Sequence, residues 1–151
     1  MEKQYIICKP SINDIERLCE LLETLFSFEK EFVPNKEIQK KGLLHILENS
    51  DFGTIFIVKV DNHIVGMLNI LYTFSTALGS KVAILEDLII DKEHRGKGYG
   101  KKLVDFALED CKAKGCKRVT LLTDHTNDIA KEFYNKMGFE DSSMVVMRNF
   151  L

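Results

Sequence analysis

Apolar residues recur along this chain with two periods, one typical of helices and one typical of strands. Spacings of three and four residues predict helices at 15–26, 36–48 and 127–137, and a further helix that ends at Gly115. Alternating or continuous apolar runs predict six strands, at 5–8, 54–60, 63–74, 82–90, 119–123 and 144–147. The resulting order, β-α-α-β-β-β-α-β-α-β, is that of a mixed α/β (α+β) protein.

Short polar signals mark where several of these elements begin and end. Ser11 and Asp14 have the spacing of a capping box at the start of the first helix. Asp61 and Asn62 predict a turn that joins two strands into a hairpin. Gly115 predicts a helix C-cap, since glycine readily adopts the left-handed conformation found there.

The segment Arg95-Gly-Lys-Gly-Tyr-Gly100 separates the predicted strand 82–90 from the third helix. Its three alternate glycines remove side chains from the turn, so that backbone N–H groups can converge on an anion, and the helix dipole adds positive potential. Four side chains add cationic charge at the same place: Arg95, Lys97, Lys101 and Lys102. The turn therefore predicts a phosphate or pyrophosphate site.

The glycine spacing limits which phosphate ligand fits. A P-loop needs glycine, four other residues and then Gly-Lys-Ser/Thr, an order that this turn lacks. The dinucleotide fingerprint Gly-x-Gly-x-x-Gly also fits poorly, because the third glycine comes one residue early. A nicotinamide-dinucleotide-binding enzyme stays an alternative, because Asp124 ends the next strand about where an acid would bind ribose. A turn that only packs helix against strand is the other alternative.

Three motifs together resemble the GNAT superfamily of N-acetyltransferases. The first is the glycine turn, and the second combines Asn127, Tyr134 and Gly138-Phe139. The third is the acidic pair in Leu85-Glu-Asp-Leu88, which is similar to the polyamine and amino-sugar acetyltransferase branches. The resemblance implies a mixed, mostly antiparallel twisted sheet flanked by helices. It also implies transfer of an acetyl group from acetyl-CoA to a primary amine by direct attack in a ternary complex.

By this resemblance, the main chain of the glycine turn binds the CoA pyrophosphate, and main-chain groups of Leu88 and Ile90 hold the acetyl-pantetheine arm. Asn127 is expected to cap its helix, and the family adds a hydrogen bond from it to the pantetheine or phosphate arm. The expected cofactor-binding residues are Leu88, Ile90, Arg95, Gly96, Lys97, Gly98, Tyr99, Gly100, Lys101 and Asn127.

Glu86 is the preferred general base, acting through a water. Strand alternation places Glu86 on one face with Ile84, Leu88 and Ile90, and apolar and tyrosine neighbours are expected to raise the pKa of its carboxyl. The alternative is that Glu86 only binds the ammonium group of the substrate as a counter-ion. Alternation turns Asp87 to the opposite face, where a structural role or one at the fringe of the substrate is expected.

Tyr134 is the candidate general acid, because a phenol near the leaving sulfur can donate a proton to it. The alternative is that Tyr134 packs on the helix that follows the glycine turn. The main-chain N–H of Leu88 is the candidate donor to the oxyanion that develops on the thioester. A catalytically silent CoA-binding sensor would need neither Glu86 nor Tyr134, so the presence of both favours an enzyme.

Composition is that of an ordinary soluble globular protein, and one domain, 1–151, is expected. The chain has 151 residues, of which 45% are hydrophobic and 29% charged, and its net charge is −2. Such a balance provides no basic field for nucleic acid, and no apolar run is long enough for a membrane span. The N-terminal Met-Glu-Lys-Gln starts no signal peptide, so a cytoplasmic location is expected.

The four cysteines form no Cys-x-x-Cys pair and no histidine cluster accompanies them, so we expect free thiols and no metal site. The acidic pair favours a small cationic amine as the acceptor, and homodimer formation stays open. Phe26, Phe28 and Phe32 interleave with Glu29 and Glu31 after the first helix. They predict either a substrate lid or a helix end whose aromatic rings pack together.

Overall fold

In the computed structural model, which describes residues 3–151, five strands form one sheet. They are β1 (Tyr5–Cys8), β2 (Gly53–Val60), β3 (His63–Ser75), β4 (Ser80–Ile90) and β5 (Val119–Leu121), in this order across the sheet. Strands β1 to β4 pair antiparallel and β5 pairs parallel to β4. The predicted mixed, mostly antiparallel sheet is therefore confirmed. Met1 and Glu2, on which part of the signal-peptide expectation rests, lie outside the described residues.

Four helices flank the sheet: α1 (Ile15–Phe28), α2 (Lys36–Glu48), α3 (Tyr99–Ala113) and α4 (Asp128–Asn135). The capping box before α1 is confirmed. The Ser11 main-chain N–H donates to the Asp14 carboxylate, and the Ser11 hydroxyl accepts a main-chain N–H at the other end of the turn. Among residues 3–151, no helix is both long enough and apolar enough to cross a membrane.

The sheet separates two hydrophobic cores. One core contains residues of α3 together with inward-facing residues of the central strands, and Tyr134 from α4 packs against it. The other lies under α1 and α2. Successive residues of β3 alternate between them, since Leu68 and Ile70 enter the α3 core whereas Met67 enters the α1–α2 core. Each face of the sheet is thus covered by helices.

A β-bulge interrupts β4 at its acidic pair. Met67 pairs with Ile89, but Asn69 pairs with Glu86, so β4 carries one residue more than β3 across this step. The extra residue shifts the alternation, and Leu88 and Ile90 consequently pack against the same core as Leu85. The prediction that Leu88 and Ile90 share a face with Glu86 is therefore wrong, because that prediction assumed an unbroken strand.

The C-terminal part of the sheet is shorter than the sequence predicts. Strand β5 ends at Leu121, and the predicted strand 144–147 does not form. Met144, Val145, Val146 and Met147 are between 54% and 90% exposed. A strand needs a neighbouring edge as well as β-forming residues, and β5 is only three residues long. The predicted element order therefore ends at α4.

Candidate active site

The glycine turn has the backbone of an anion site. Gly96 and Gly98 adopt left-handed φ values of 72° and 84°, and no atom lies within 4 Å of where a Cβ of either would stand. Gly98 caps α3, and the first helical hydrogen bond runs from the Lys102 N–H to the Gly98 carbonyl, at 3.1 Å. The amides of the first turn precede that bond and have no helical acceptor. They are therefore available to a phosphate group.

Two of the predicted cations brace the turn through main-chain oxygens. Arg95 Nε donates to the Ile90 carbonyl at 2.8 Å, and its guanidinium lies 5.7 Å from the centre of the Phe28 ring. Lys97 Nζ donates to the Glu93 carbonyl at 2.9 Å. Both keep their positive charge beside the turn, and Arg95 also joins the turn to the end of α1.

The next side chains in α3 are directed elsewhere. Lys101 pairs with Asp105 at 2.6 Å. Lys102 lies over the Tyr5 ring, 4.2 Å from its centre, so it covers β1 rather than adding charge at the turn as expected. Tyr99 is only 7% exposed, so its ring belongs to the core and does not line the turn.

Beside the turn, the outer edge of β4 beyond Leu85 is unpaired in the part of the chain that the structure describes. Strand β5 pairs with β4 only at Ala83, Ile84 and Leu85, and within the described residues no strand pairs with the outer edge beyond that point. The Asp91 amide bonds to the Val65 carbonyl of β3 at 2.7 Å. By the two-residue alternation of a ladder, the Leu88 and Ile90 amides point the other way, to the free edge. The unpaired edge of β4 thus includes the two residues whose main chain is predicted to hold the pantetheine arm.

The bulge brings the side chains of three polar residues together. Asn69 Nδ2 donates to Asp87 Oδ2 at 2.7 Å. Asn69 and Glu86 are direct cross-strand partners, and such partners share a face of the sheet. The Asp87 carboxylate therefore reaches the face of Glu86, and the prediction that Asp87 points away from Glu86 is wrong. At the bulge Asp87 has a left-handed φ of 58°, which ends the simple alternation.

Burial and neighbouring charge both act on Asp87. Burial, followed by the negative charge of Glu86, raises the pKa of Asp87 to about 6, although the hydrogen bond from Asn69 works in the opposite direction. Glu29, which follows α1, raises this pKa further. Glu86 is exposed, whereas the burial expected for it is found at its neighbour. A carboxyl with such a pKa suits proton abstraction near neutral pH.

Asn69 is a site residue that sequence analysis missed. It is 2% exposed, and its Oδ1 has no hydrogen-bond partner among residues 3–151. A buried acceptor without a partner costs about 1–3 kcal/mol, so this atom marks a place where a donor belongs. The signal in the sequence was a single amide within the apolar run 64–71.

Tyr134 of α4 is half-buried between two rings. Its ring makes edge contacts with Phe133 at 5.1 Å and Phe139 at 5.6 Å between centroids. Burial, together with the charge of Glu29, raises the pKa of Tyr134 to about 12. The ring therefore packs between Phe133 and Phe139, and the hydroxyl keeps its proton at neutral pH. The role of Tyr134 as an acid stays a prediction.

Glu29 was considered in the sequence only as part of an aromatic segment. Burial, and then the charges of Glu31 and Asp124, raise its pKa. Phe28, beside it, is 71% exposed, whereas Phe26 and Phe32 pack together at 5.6 Å between ring centroids. The aromatic packing is thus confirmed for these two rings, and the lid stays a prediction.

Two residues after β5 have local structural roles. Asp124 accepts hydrogen bonds from the N–H and hydroxyl of Thr126, at 3.1 and 2.9 Å, which accounts for this acid without a nucleotide. Asn127 Oδ1 accepts from the Ala130 N–H at 3.1 Å, which confirms the predicted cap of α4. The four cysteines are free thiols, as expected.

Comparison with known proteins agrees with this geometry. The profile of the family described as "Acetyltransferase (GNAT) family" matches residues 15–139. A glucosamine 6-phosphate N-acetyltransferase of Arabidopsis thaliana is 37% identical over 70 residues, 46% of this chain and 45% of that protein. An uncharacterised N-acetyltransferase of Methanocaldococcus jannaschii is 26% identical over 145 residues, 95% of this chain and 64% of that protein. The matches thus span between 45% and 64% of the length of these relatives.

A solved structure extends the comparison to the fold. An aminoglycoside N-acetyltransferase in complex with CoA superposes with a TM-score of 0.83 at 19% identity, over 99% of this chain and 97% of that chain. At this identity the likeness concerns the fold alone.

Proposed function

The chain belongs to the acetyltransferase (GNAT) family, and we propose that it transfers the acetyl group of acetyl-CoA to a primary amine. One juxtaposition carries the proposal. The glycine turn lies beside the unpaired end of β4, where Arg95 Nε bonds to the Ile90 carbonyl, and the acidic bulge lies in the same strand. A phosphate cradle, a groove of unpaired main chain and a carboxylate thus follow one another over a few residues of sequence.

The residues present fit acetyl-CoA. The left-handed Gly96 and Gly98 leave the turn open to a pyrophosphate, and the amides at the start of α3 are free to donate to it. The Leu88 and Ile90 amides are available to the pantetheine arm. Acetyl-CoA supplies the thioester acetyl group, and the chain positions it.

Two groups of the chain act on the thioester. The Leu88 N–H donates to the carbonyl oxygen as negative charge develops there. The Tyr134 hydroxyl donates to the leaving sulfur. Because the pKa of Tyr134 is raised to about 12, whereas a thiol has a pKa of about 8.5, transfer of the phenol proton to a free thiolate is uphill. The hydroxyl therefore hydrogen-bonds to the sulfur as negative charge develops there, and its proton reaches the sulfur as solvent reprotonates the phenol oxygen.

The acceptor is proposed to be a small cationic amine. Glu86, Asp87 and Glu29 place negative charge around the bulge, which favours an ammonium group. The exposed Glu86 fits either of its predicted roles, counter-ion or base through a water. Glucosamine 6-phosphate, in the name of the Arabidopsis relative, contains such an amine.

A thiol-release assay tests the proposal. Acetyl-CoA is mixed with the protein and, one at a time, with spermidine, glucosamine 6-phosphate, lysine or an aminoglycoside. We expect free CoA thiol only when an amine is present, together with a product heavier by one acetyl group. Calorimetry with acetyl-CoA, NAD and NADP accompanies the assay. Acetyl-CoA binding without any acetylated amine would indicate a sensor, and NAD binding in its place would indicate a dinucleotide enzyme.

A further inference from the structure

We propose that Asp87 is the catalytic residue that takes the proton from the acceptor amine, and that Asn69 Oδ1 accepts a second N–H of the same amine. This inference rests on the proposed function and deepens it, because it assigns the amine subsite. The role of general base, for which the sequence favours Glu86, is thereby assigned to the neighbouring residue in the bulge.

The orientation of Asn69 follows from the chemistry of its partner. An ionised carboxylate only accepts hydrogen bonds, so the Asn69 amide must turn its Nδ2 towards Asp87, at 2.7 Å. Its Oδ1 is then buried without a partner among the described residues. An ammonium group has three N–H donors, one for Asp87 and another for the unpaired Oδ1. A buried neutral acceptor beside a carboxylate thus forms a two-point site for an amine.

The backbone of Asp87 supports a functional role. Its φ of 58° is uncommon for a residue with a side chain, and such conformations persist only where the surrounding structure enforces them. Here the bulge turns the carboxyl towards Asn69, whereas regular pleating would send it to the other face.

The charged neighbours of Asp87 come from two elements. Glu86 is adjacent on β4, and Glu29 approaches from the end of α1; both raise the pKa of Asp87 in addition to burial. Asn69, from β3, is neutral, and its hydrogen bond lowers this pKa. Asp87 therefore titrates close to neutrality, where it can both hold an ammonium group and accept its proton.

The proposed step balances. An N–H proton of the ammonium group passes to an Asp87 oxygen, and the nitrogen lone pair forms the bond to the thioester carbon. The C–S bond breaks, its electron pair goes to sulfur, and the Tyr134 proton follows. The new amide nitrogen still carries one proton in excess, which it loses to solvent. Solvent also takes the proton from Asp87 and returns one to Tyr134, so that one proton is released for each acetyl group transferred.

The test compares pH profiles of kcat/KM with saturating acetyl-CoA and the best amine of the thiol-release assay. We expect the wild-type rate to fall below about pH 6, because Asp87 becomes protonated. Asp87→Asn should lose about 10²-fold or more in kcat, and its rate should no longer show this fall at low pH, the acid limb of the profile.

Two neighbouring variants should shift the acid limb. Glu86→Gln should keep the limb and move it to lower pH, since a like charge beside Asp87 is removed. Asn69→Ala should move the limb to higher pH and raise the KM for the amine. A residue with only a structural role would not shift the limb.

Exposed Asp51 provides the matched control, and Asp51→Asn should reproduce the wild-type profile. Loss of the limb in Glu86→Gln with its retention in Asp87→Asn would assign the base to Glu86. A raised KM with unchanged kcat in Asp87→Asn would reduce Asp87 to a counter-ion. Either result overturns the inference while the proposed function stands. A wild-type protein that acetylates none of the amines overturns both.

Discussion

Asn69 and Asp87 form a 2.7 Å hydrogen bond across the β3–β4 ladder, at the bulge of β4. Burial and two glutamates favour the protonated form of Asp87, and the Asn69 amide is the group that favours its ionised form. The pair therefore keeps a carboxylate charged where the surrounding structure disfavours charge.

The first prediction concerns stability. The pKa of Asp87 is raised to about 6 in the folded protein, against about 3.9 in an unfolded chain. The folded state therefore binds more protons between these values, and this contribution to stability is lost as pH rises through them. Asp87→Asn removes the free-energy cost of keeping an ionised carboxyl at this buried position, and asparagine tolerates the left-handed conformation. We expect a gain of up to about 3 kcal/mol in unfolding free energy near pH 8.

Urea denaturation at several pH values checks this prediction. The advantage of Asp87→Asn over wild type should shrink as pH falls and vanish near pH 4, whereas the exposed control Asp51→Asn should show no such trend. An Asp87→Asn protein that is less stable than wild type at every pH would contradict the raised pKa.

Local signals in the sequence were enough to predict most elements. Helix α2 has its predicted bounds, 36–48, because apolar periodicity and the chain's end signals agree there. The turn at Asp61 and Asn62 is confirmed, and both residues have the positive φ that a tight hairpin requires. The glycine turn could also be predicted from local signals, because the glycine spacing and the flanking strand and helix lie within a short stretch of sequence.

Non-local features could not be predicted in this way. The bulge depends on the register between β3 and β4, so its effect on Asp87 appears only when Asn69 is placed opposite Glu86. The segment 144–147 has strand-forming residues but pairs with no strand among the described residues, and composition alone cannot indicate whether a segment pairs. Glu29 reaches the site only because of the direction in which α1 ends.

The second prediction concerns the glycine turn. Gly98→Ala places a side chain at φ 84°, and we expect it to weaken CoA binding at least about 10-fold because the backbone must leave its left-handed conformation. Gly115→Ala is the matched control, since Gly115 has φ 81° and equally open surroundings at the far end of α3. Both variants should lose about 1–2 kcal/mol of stability. Calorimetry should find weakened CoA binding in Gly98→Ala alone. Equal CoA affinity in the two variants would place the pyrophosphate elsewhere.

The third prediction concerns a polar network away from the bulge. Lys114 Nζ contacts Asp110 at 2.7 Å, the Tyr72 hydroxyl at 2.9 Å and the Thr54 hydroxyl at 3.2 Å. Lys114→Met leaves these partners without their shared donor, so unfolding free energy should fall by about 1–3 kcal/mol. Lys112→Met is the control, because Lys112 is exposed and its pair with Glu109 contributes about 0–1 kcal/mol. Kinetic constants should stay at wild-type values in both; a changed KM in Lys114→Met would connect this network to the site.

The last prediction concerns the proton donor. Tyr134→Phe removes the hydroxyl and keeps the ring between Phe133 and Phe139, so kcat should fall about 10²-fold or more while CoA affinity is nearly unchanged. Since the pKa of Tyr134 is raised to about 12, the wild-type rate should not fall through ionisation of this phenol up to pH 10. Phe139→Leu is the complementary control: it loosens the packing and keeps the hydroxyl, so stability should fall while kcat is retained. Stopped-flow thiol release and calorimetry measure these quantities. Wild-type kcat in Tyr134→Phe across the pH range would remove Tyr134 from the mechanism and leave solvent as the donor.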